Sequence, residues 1–132
     1  MAPNQVTAHP DDIVVTTGSQ QALDLVTRIF VDPGDVVLAE APSYVGALGV
    51  FRSYQADVVH VAMDAEGLIP EALSDTLIEL KRAGRRVKLL YTVPNYHNPA
   101  GVTLAAHRRP QILEIARRFG VLVLEDDPYG LL

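Results

Sequence analysis

The chain has 132 residues, 48% of them hydrophobic, which is enough for one globular domain with a real core. Its 16 acidic and 11 basic residues give a formal net charge of −5, which argues against nucleic-acid binding, and the absence of cysteine excludes disulfides and thiolate chemistry within these residues. No apolar run approaches the ~20 residues of a membrane span and no signal peptide is visible, so we expect a soluble cytoplasmic protein without a membrane partner.

Short β-branched runs alternate with helical patterns along the chain. Strands are predicted, in chain order, at residues 13–17, 36–39, 57–62, 87–92 and 121–125. Helices are predicted from Ser19 to about Ile29 and at residues 44–54, 70–83 and 104–119. Apolar strands that are each followed by a helix predict an α/β fold, a three-layer α/β/α domain with a mainly parallel sheet.

Three residues are predicted to set helix boundaries. Ser19 can cap the first helix and Thr103 the last, because hydroxyl side chains accept hydrogen bonds from the free N–H groups of a helix start. Pro110 lies inside the last helical pattern and should either kink that helix or delay its start.

Ligands of open α/β sheets bind beyond the carboxyl ends of the strands, so the residues that follow each strand are the candidate site. The first strand is followed by Gly18, Ser19 and Gln20, where glycine allows close backbone approach and a helix start suits a phosphate. Taken alone, this pattern is more typical of an ordinary helix cap. It is neither a dinucleotide-binding Gly-x-Gly-x-x-Gly motif nor a P-loop.

Three further segments follow strands. Tyr44 could stack on a flat ring, although a packing aromatic is the commoner interpretation. The proline-rich and asparagine-rich loop at residues 93–101 carries Asn98, whose amide both donates and accepts hydrogen bonds. Of the acids at residues 125–127, a buried aspartate could hold a cation such as a protonated pyridine nitrogen, whereas such acids more often bind metal or solvate a loop.

Together the four segments supply a phosphate cup, a stacking ring, an amide and a carboxylate. That combination suits a phosphorylated pyridine better than any one of the segments does alone. The four histidines have no metal-binding spacing, so no metal site is expected.

These motifs resemble the class I/II aminotransferases of fold type I, which depend on pyridoxal 5′-phosphate, and the nearest subgroup acts on 2-aminoadipate, aromatic or branched amino acids. The matching motifs are Thr-Gly-Ser-Gln-Gln-Ala-Leu-Asp (17–24), Pro-Gly-Asp (33–35), Glu-x-Pro-x-Tyr (40–44), Pro-Asn-x-x-Asn-Pro-x-Gly (94–101) and Glu-Asp-Asp-Pro-Tyr (125–129). They extend from about Asp11 onward in the order and spacing of the family. The resemblance implies amino-group transfer between an amino acid and a 2-oxo acid, and a homodimeric parent protein.

The resemblance also implies roles for individual residues. The cofactor-binding residues that it assigns are Gly18, Ser19 and Gln20 for the phosphate, Tyr44 for ring stacking, Asn98 and Tyr129 for the 3′-oxygen, and Asp126 for the protonated pyridine nitrogen. Asp126 is chosen over Asp127 because the family spacing is Asp-x-x-Tyr. The peptide bonds before Pro42 and Pro99 correspond to bonds that are often cis in this family.

One family feature has no counterpart in the sequence, namely the Schiff-base lysine that lies well beyond the aspartate. The only lysines are Lys81, on a predicted exposed helix, and Lys88, at the amino end of a predicted strand. The chain is therefore interpreted as a partial large domain, residues 1–132, without catalytic activity of its own.

The resemblance implies a strand order as well. The third, second, fourth and fifth strands should be adjacent in that order, and two further strands should separate the fifth from the first. Without those two strands, the first strand lacks neighbours and the fifth becomes a bare apolar edge, so the piece alone should be marginally stable or insoluble.

Other assignments remain open from the sequence alone. An aminotransferase-like effector domain of a winged-helix transcription regulator would carry the same motifs, and sequence upstream of Met1 would distinguish it. A pyridoxal-phosphate lyase would share the ring-binding residues, and a non-catalytic remnant would share them too.

Overall fold

A computed structural model describes residues 9–94 and 101–127 of the chain. Within these residues the strands are β1 (Val36–Ala41), β2 (Asp57–Asp64), β3 (Gly67–Leu68), β4 (Val87–Thr92) and β5 (Leu122–Glu125). The helices are α1 (Gly18–Phe30), α2 (Val45–Ser53), α3 (Pro70–Arg82) and α4 (Arg108–Arg118), and a short 3-10 helix (Pro10–Asp12) precedes α1.

The strands form one sheet in the order β3-β2-β1-β4-β5. β1 pairs in parallel with β2 and with β4, and β4 pairs in parallel with β5. The two-residue strand β3, which the sequence did not predict, pairs antiparallel with β2. The mainly parallel sheet is thus confirmed, and the order of its four longer strands is the one that the resemblance implied.

Alternate residues of the central strand β1 face the two helical layers. Val37 and Ala39 pack in one core with residues of α1 and α2, whereas Val36 and Leu38 pack in a second core with residues of α3 and α4. All four side chains are fully buried, as expected for a parallel strand that helices cover on both faces. The three-layer α/β/α fold is therefore confirmed.

The prediction of a buried strand at residues 13–17 is wrong. These residues lie outside every strand of the described sheet, and the exposed fractions of Ile13, Val14 and Val15 are 45%, 77% and 93%. A strand requires a neighbour that pairs with its backbone N–H and C=O groups, and a β-branched composition cannot supply that neighbour.

The predicted start of the first helix also needs correction. α1 begins at Gly18, its N-cap residue is Thr17, and the Thr17 side chain makes no capping hydrogen bond. Ser19 consequently lies inside the first turn rather than at the cap.

The last helix begins later than residue 104. α4 starts at Arg108 and its N-cap residue is His107, so the predicted cap at Thr103 is wrong. Pro110 occupies the first turn, where a missing N–H costs no intrahelical hydrogen bond. The prediction that Pro110 delays the start of this helix is confirmed.

Arg108 attaches the start of α4 to the β2–β3 hairpin. Its guanidinium donates to both carboxylate oxygens of Asp64, at 2.7 and 2.8 Å, and to the carbonyl oxygen of Gly67 at 3.1 Å. The hydrogen bonds from Arg108 lower the pKa of Asp64 to about 2. Nearby, the Leu104 N–H donates to the Pro94 carbonyl at 2.7 Å, so both ends of the loop that carries Asn98 are fixed.

None of the helices in the described part of the chain is long and apolar enough to cross a membrane.

Candidate functional site

The carboxyl ends of β1, β4 and β5 lie side by side at one edge of the sheet, because the three strands are parallel neighbours. Tyr44 follows β1 and Asp126 follows β5 at this edge. Asn98 and Tyr129, which the sequence also assigns to the site, lie outside the described residues.

The start of α1 can accept an anion. Gly18 has φ +82°, and a Cβ built on it would meet no atom within 4 Å, so the backbone is open to a ligand there. Ser19 and Gln20 are exposed in the first turn, and the Thr17 side chain makes no capping hydrogen bond. The Gln21 side chain accepts from the Thr17 N–H, which leaves the N–H groups of residues 18–20 to a ligand. The free N–H groups and the positive end of the helix dipole therefore face solvent.

Tyr44 is the N-cap residue of α2 and its side chain is partly open, with the residue 39% exposed. The preceding Ala41–Pro42 peptide bond is cis, as the resemblance predicted. The Gln20 side-chain amide donates to the Gly46 carbonyl at 3.4 Å. This hydrogen bond connects the anion-accepting start of α1 with the first turn of α2, so the two predicted segments are brought together.

A buried tyrosine holds the predicted aspartate. The Tyr91 hydroxyl donates to Asp126 Oδ2 at 2.8 Å, and the Asp126 N–H donates to the Thr92 carbonyl at 2.9 Å. The Tyr91 ring is fully buried and meets the Phe51 ring edge to face at 5.4 Å. Burial, together with the Asp126 carboxylate, raises the pKa of Tyr91, so the phenol stays protonated and remains a donor.

Tyr91 also connects the aspartate with the aromatic side chain across the edge. Tyr44 and Glu40 both lie near enough to Tyr91 to raise its pKa further. The Tyr91 hydroxyl binds one oxygen of Asp126, which leaves the other oxygen, Oδ1, for a cationic donor.

Glu40 is a buried carboxylate between β1 and β4, with only 1% of its surface exposed. Its Oε1 accepts a hydrogen bond from the Val93 N–H at 2.8 Å. Burial raises the pKa of Glu40 to about 7, against the opposing effects of the Val93 N–H and the Thr92 hydroxyl. Since Val93 begins the loop that carries Asn98, Glu40 fixes the point where that loop leaves the sheet.

Sequence reasoning missed the roles of Glu40 and Tyr91. Glu40 entered only as a letter of a motif, although an acid near the end of an otherwise apolar strand signals a buried charge that requires a partner. Tyr91 had no comparable signal, because a tyrosine in a buried strand is an ordinary core residue.

The two lysines lie away from this edge. Lys88 is in the first half of β4, where its ammonium group donates to the Phe30 carbonyl at 3.1 Å and lies 3.6 Å from Asp35. Lys81 lies in the last turn of α3, with its ammonium group 6.0 Å from the centre of the Phe119 ring. Neither lysine faces Tyr44 or Asp126.

The chain matches the family model described as aminotransferase class I and II over residues 2–132. It is 46% identical over 119 residues to the aromatic-amino-acid aminotransferase 1 of Thermococcus litoralis, a match that covers 90% of this chain and 28% of that protein.

Two solved structures are similar in both sequence and fold. One is the Pyrococcus horikoshii kynurenine aminotransferase in complex with PMP, at 49% identity and a TM-score of 0.83, covering 86% of this chain and 28% of that one. The other is the Thermus thermophilus alpha-aminoadipate aminotransferase LysN, complexed with N-(5′-phosphopyridoxyl)-L-leucine, at 38% identity and a TM-score of 0.84, covering 97% of this chain and 32% of that one. The chain thus spans about three tenths of the length of these proteins.

The cofactor of these proteins is pyridoxal 5′-phosphate or a derivative, and the described residues fit it. Its phosphate matches the exposed start of α1, its flat ring matches the partly open Tyr44, and its ring nitrogen, when protonated, matches the Asp126 carboxylate.

Proposed function

Because the chain belongs to the aminotransferase class I and II family, we propose that it is the cofactor-binding part of a pyridoxal-phosphate-dependent aminotransferase. The proposed reaction moves an amino group between an amino acid and a 2-oxo acid. The observation that carries the proposal is the carboxyl edge of the sheet, where the exposed start of α1 is hydrogen-bonded to the first turn of α2 beside the partly open Tyr44, and Tyr91 holds the Asp126 carboxylate.

Each described residue of the site has a proposed role. The backbone N–H groups of Gly18, Ser19 and Gln20 bind the phosphate, and the Tyr44 ring covers one face of the pyridine. The Asp126 carboxylate pairs with the protonated ring nitrogen. When bound, the cofactor supplies an electron sink for the substrate carbon that loses its proton. The roles predicted for Asn98 and Tyr129 remain predictions.

The covalent lysine is proposed to come from residues other than 1–132, since Lys81 and Lys88 do not face the site. Residues 1–132 would then form part of a large domain and would lack transaminase activity by themselves. An effector domain of a winged-helix transcription regulator is not supported, because the named relatives are aminotransferases.

The substrate is proposed as a class. The relatives named above are described as acting on aromatic amino acids, kynurenine or alpha-aminoadipate, and another similar structure is described as an alanine:glyoxylate aminotransferase, so we propose a 2-amino acid and leave the size of its side chain open. A homodimeric, cytoplasmic parent protein is proposed on the family resemblance, and light scattering and cell fractionation test those two points.

The experiment is an amino-transfer assay on the protein purified at its natural length from its own cells. The intact mass is measured first, and 2-oxoglutarate is then offered with phenylalanine, kynurenine or 2-aminoadipate. A mass well above 14.3 kDa and turnover with at least one donor are the expected results. A native mass near 14.3 kDa without turnover would contradict an active aminotransferase.

A further inference from the structure

Gly46 provides the surface on which the Tyr44 ring lies. A Cβ built on Gly46 would be 2.6 Å from Tyr44 Cζ and 2.7 Å from both Cε2 and the hydroxyl oxygen. Atoms that are not bonded do not approach so closely, so the ring occupies space that any residue other than glycine would fill.

The backbone conformation does not explain this glycine. Gly46 is not among the glycines with positive φ, and it lies inside α2, where alanine favours the helix more than glycine does. What Gly46 provides is therefore space for a side chain rather than freedom of the chain.

Gly46 also contacts the phosphate side of the site. Its carbonyl accepts the hydrogen bond from the Gln20 side chain at 3.4 Å. One residue therefore touches both the proposed stacking ring and a residue of the proposed phosphate cup.

We propose that Gly46 is a positioning residue that sets the place of the Tyr44 ring relative to the start of α1. A phosphorylated pyridine must meet both features at once, because its ring and its phosphate are covalently joined. A displaced Tyr44 ring would no longer cover the pyridine while the phosphate occupies the cup. This inference rests on the proposed function.

The α2 helix offers a matched control. Gly49 lies in the same helix, is exposed, and a Cβ built on it would meet no atom within 4 Å. Gly46→Ala and Gly49→Ala each replace a glycine of α2 by alanine, and only the former collides with Tyr44.

The experiment titrates the natural-length protein, after removal of its bound cofactor, with pyridoxamine 5′-phosphate by calorimetry. This probe carries an amine instead of an aldehyde, so its binding does not depend on the covalent lysine. Gly46→Ala is expected to weaken binding about 10-fold or more, while Gly49→Ala stays within about 2-fold of the wild type. Thermal melting should show that neither variant is less stable than the wild type.

A double-mutant cycle tests whether Gly46 acts through Tyr44. In a Tyr44→Ala background the ring is gone, so Gly46→Ala is expected to cause no further loss of binding. An equal loss with and without the Tyr44 ring would overturn the inference, as would binding by Gly46→Ala equal to that by Gly49→Ala. If the Gly46→Ala variant does not fold, the double variant Tyr44→Ala/Gly46→Ala should still fold, because the ring that collides with the new methyl group is gone. Failure of the double variant to fold would also overturn the inference. Absence of binding by the wild type would instead reject the proposed function.

Discussion

Glu40 is a carboxylate whose charged form is penalised by burial. Its pKa is about 7 in the folded protein against 4.5 for an exposed glutamate, so between these pH values the folded state holds a proton that the unfolded state has released. Stability from this group is consequently greatest at low pH and is lost as the pH rises from about 4.5 through about 7.

Glu40→Gln should remove that pH dependence. Glutamine keeps an oxygen acceptor for the Val93 N–H and carries no charge. When the pH rises from 5 to 8, the wild type should lose on the order of 2 kcal/mol in free energy of unfolding through Glu40, and the variant should not show this loss. Urea unfolding of both proteins at the two pH values measures this difference, and parallel pH profiles would show that Glu40 titrates normally.

Tyr91→Phe should weaken the cofactor site with little effect on the fold. The variant keeps the buried ring and loses only the donor to Asp126 Oδ2, which should reduce stability by about 1 kcal/mol. We expect affinity for pyridoxamine 5′-phosphate to fall several-fold, because Asp126 is held less firmly.

Tyr54→Phe is the matched control for Tyr91→Phe. It removes a similar bond, from the Tyr54 hydroxyl to Asp24 Oδ1 at 2.7 Å, between the end of α2 and α1. Binding should be unchanged in this control, and equal losses in both variants would argue against a specific role for Tyr91.

At the scale of elements, Arg108 holds α4 against the β2–β3 hairpin through Asp64. The pKa of Asp64 is lowered to about 2, so this pair stabilises the fold above about pH 4 and its contribution is lost as the pH falls toward 2. Arg108→Gln should lower the melting temperature by several degrees at pH 7 and by less at pH 2, since about half of the Asp64 carboxyls are then protonated.

Arg28→Gln provides the comparison for Arg108→Gln. Arg28 forms a single-contact ion pair with Asp24 at 3.1 Å within α1, and such exposed pairs contribute little. A similar fall in melting temperature for both variants would show that the Arg108–Asp64 pair stabilises the fold no more than an exposed ion pair within one helix does.

The elements that the sequence predicted well are those whose signal is local. The apolar runs of β1 and β4 fall within two residues of their predicted ends, because burial on both faces leaves a continuous apolar run. The segment at residues 13–17 has the same composition without a described neighbour, so composition alone misled the prediction. The start of α4 depended on how far Pro110 could lie inside a helix, which local preference does not decide.

The site shows the same limit. Gly18 was predicted from its place after a strand that the structure does not form, and Asp126 was chosen among the acids after the last strand by the spacing that the resemblance implies. The hydrogen bond from Tyr91 to Asp126 and the contact of Gly46 with Tyr44 depend on the three-dimensional arrangement of side chains. Sequence patterns without the fold do not contain that information.

At the scale of the whole molecule, the described part exposes several large apolar side chains. Val14 and Val15 are largely exposed and Leu122 of β5, the last strand in the sheet order, is 51% exposed. Residues 1–132 produced as a separate chain should therefore self-associate, since an open apolar strand edge pairs with other chains. Gel filtration with light scattering measures this, and a monomeric peak with one sharp thermal transition would contradict the prediction.

The most direct test of the cofactor site is calorimetric titration of the cofactor-free, natural-length protein and its Asp126→Asn variant with pyridoxamine 5′-phosphate. Asparagine keeps the size of the side chain and removes the charge that pairs with the ring nitrogen. The proposed site predicts saturable binding to the wild type and a loss of about 10-fold or more in affinity for the variant, since a charge-assisted hydrogen bond is replaced by a neutral one. Absence of saturable binding, or equal affinity in the two proteins, would contradict it.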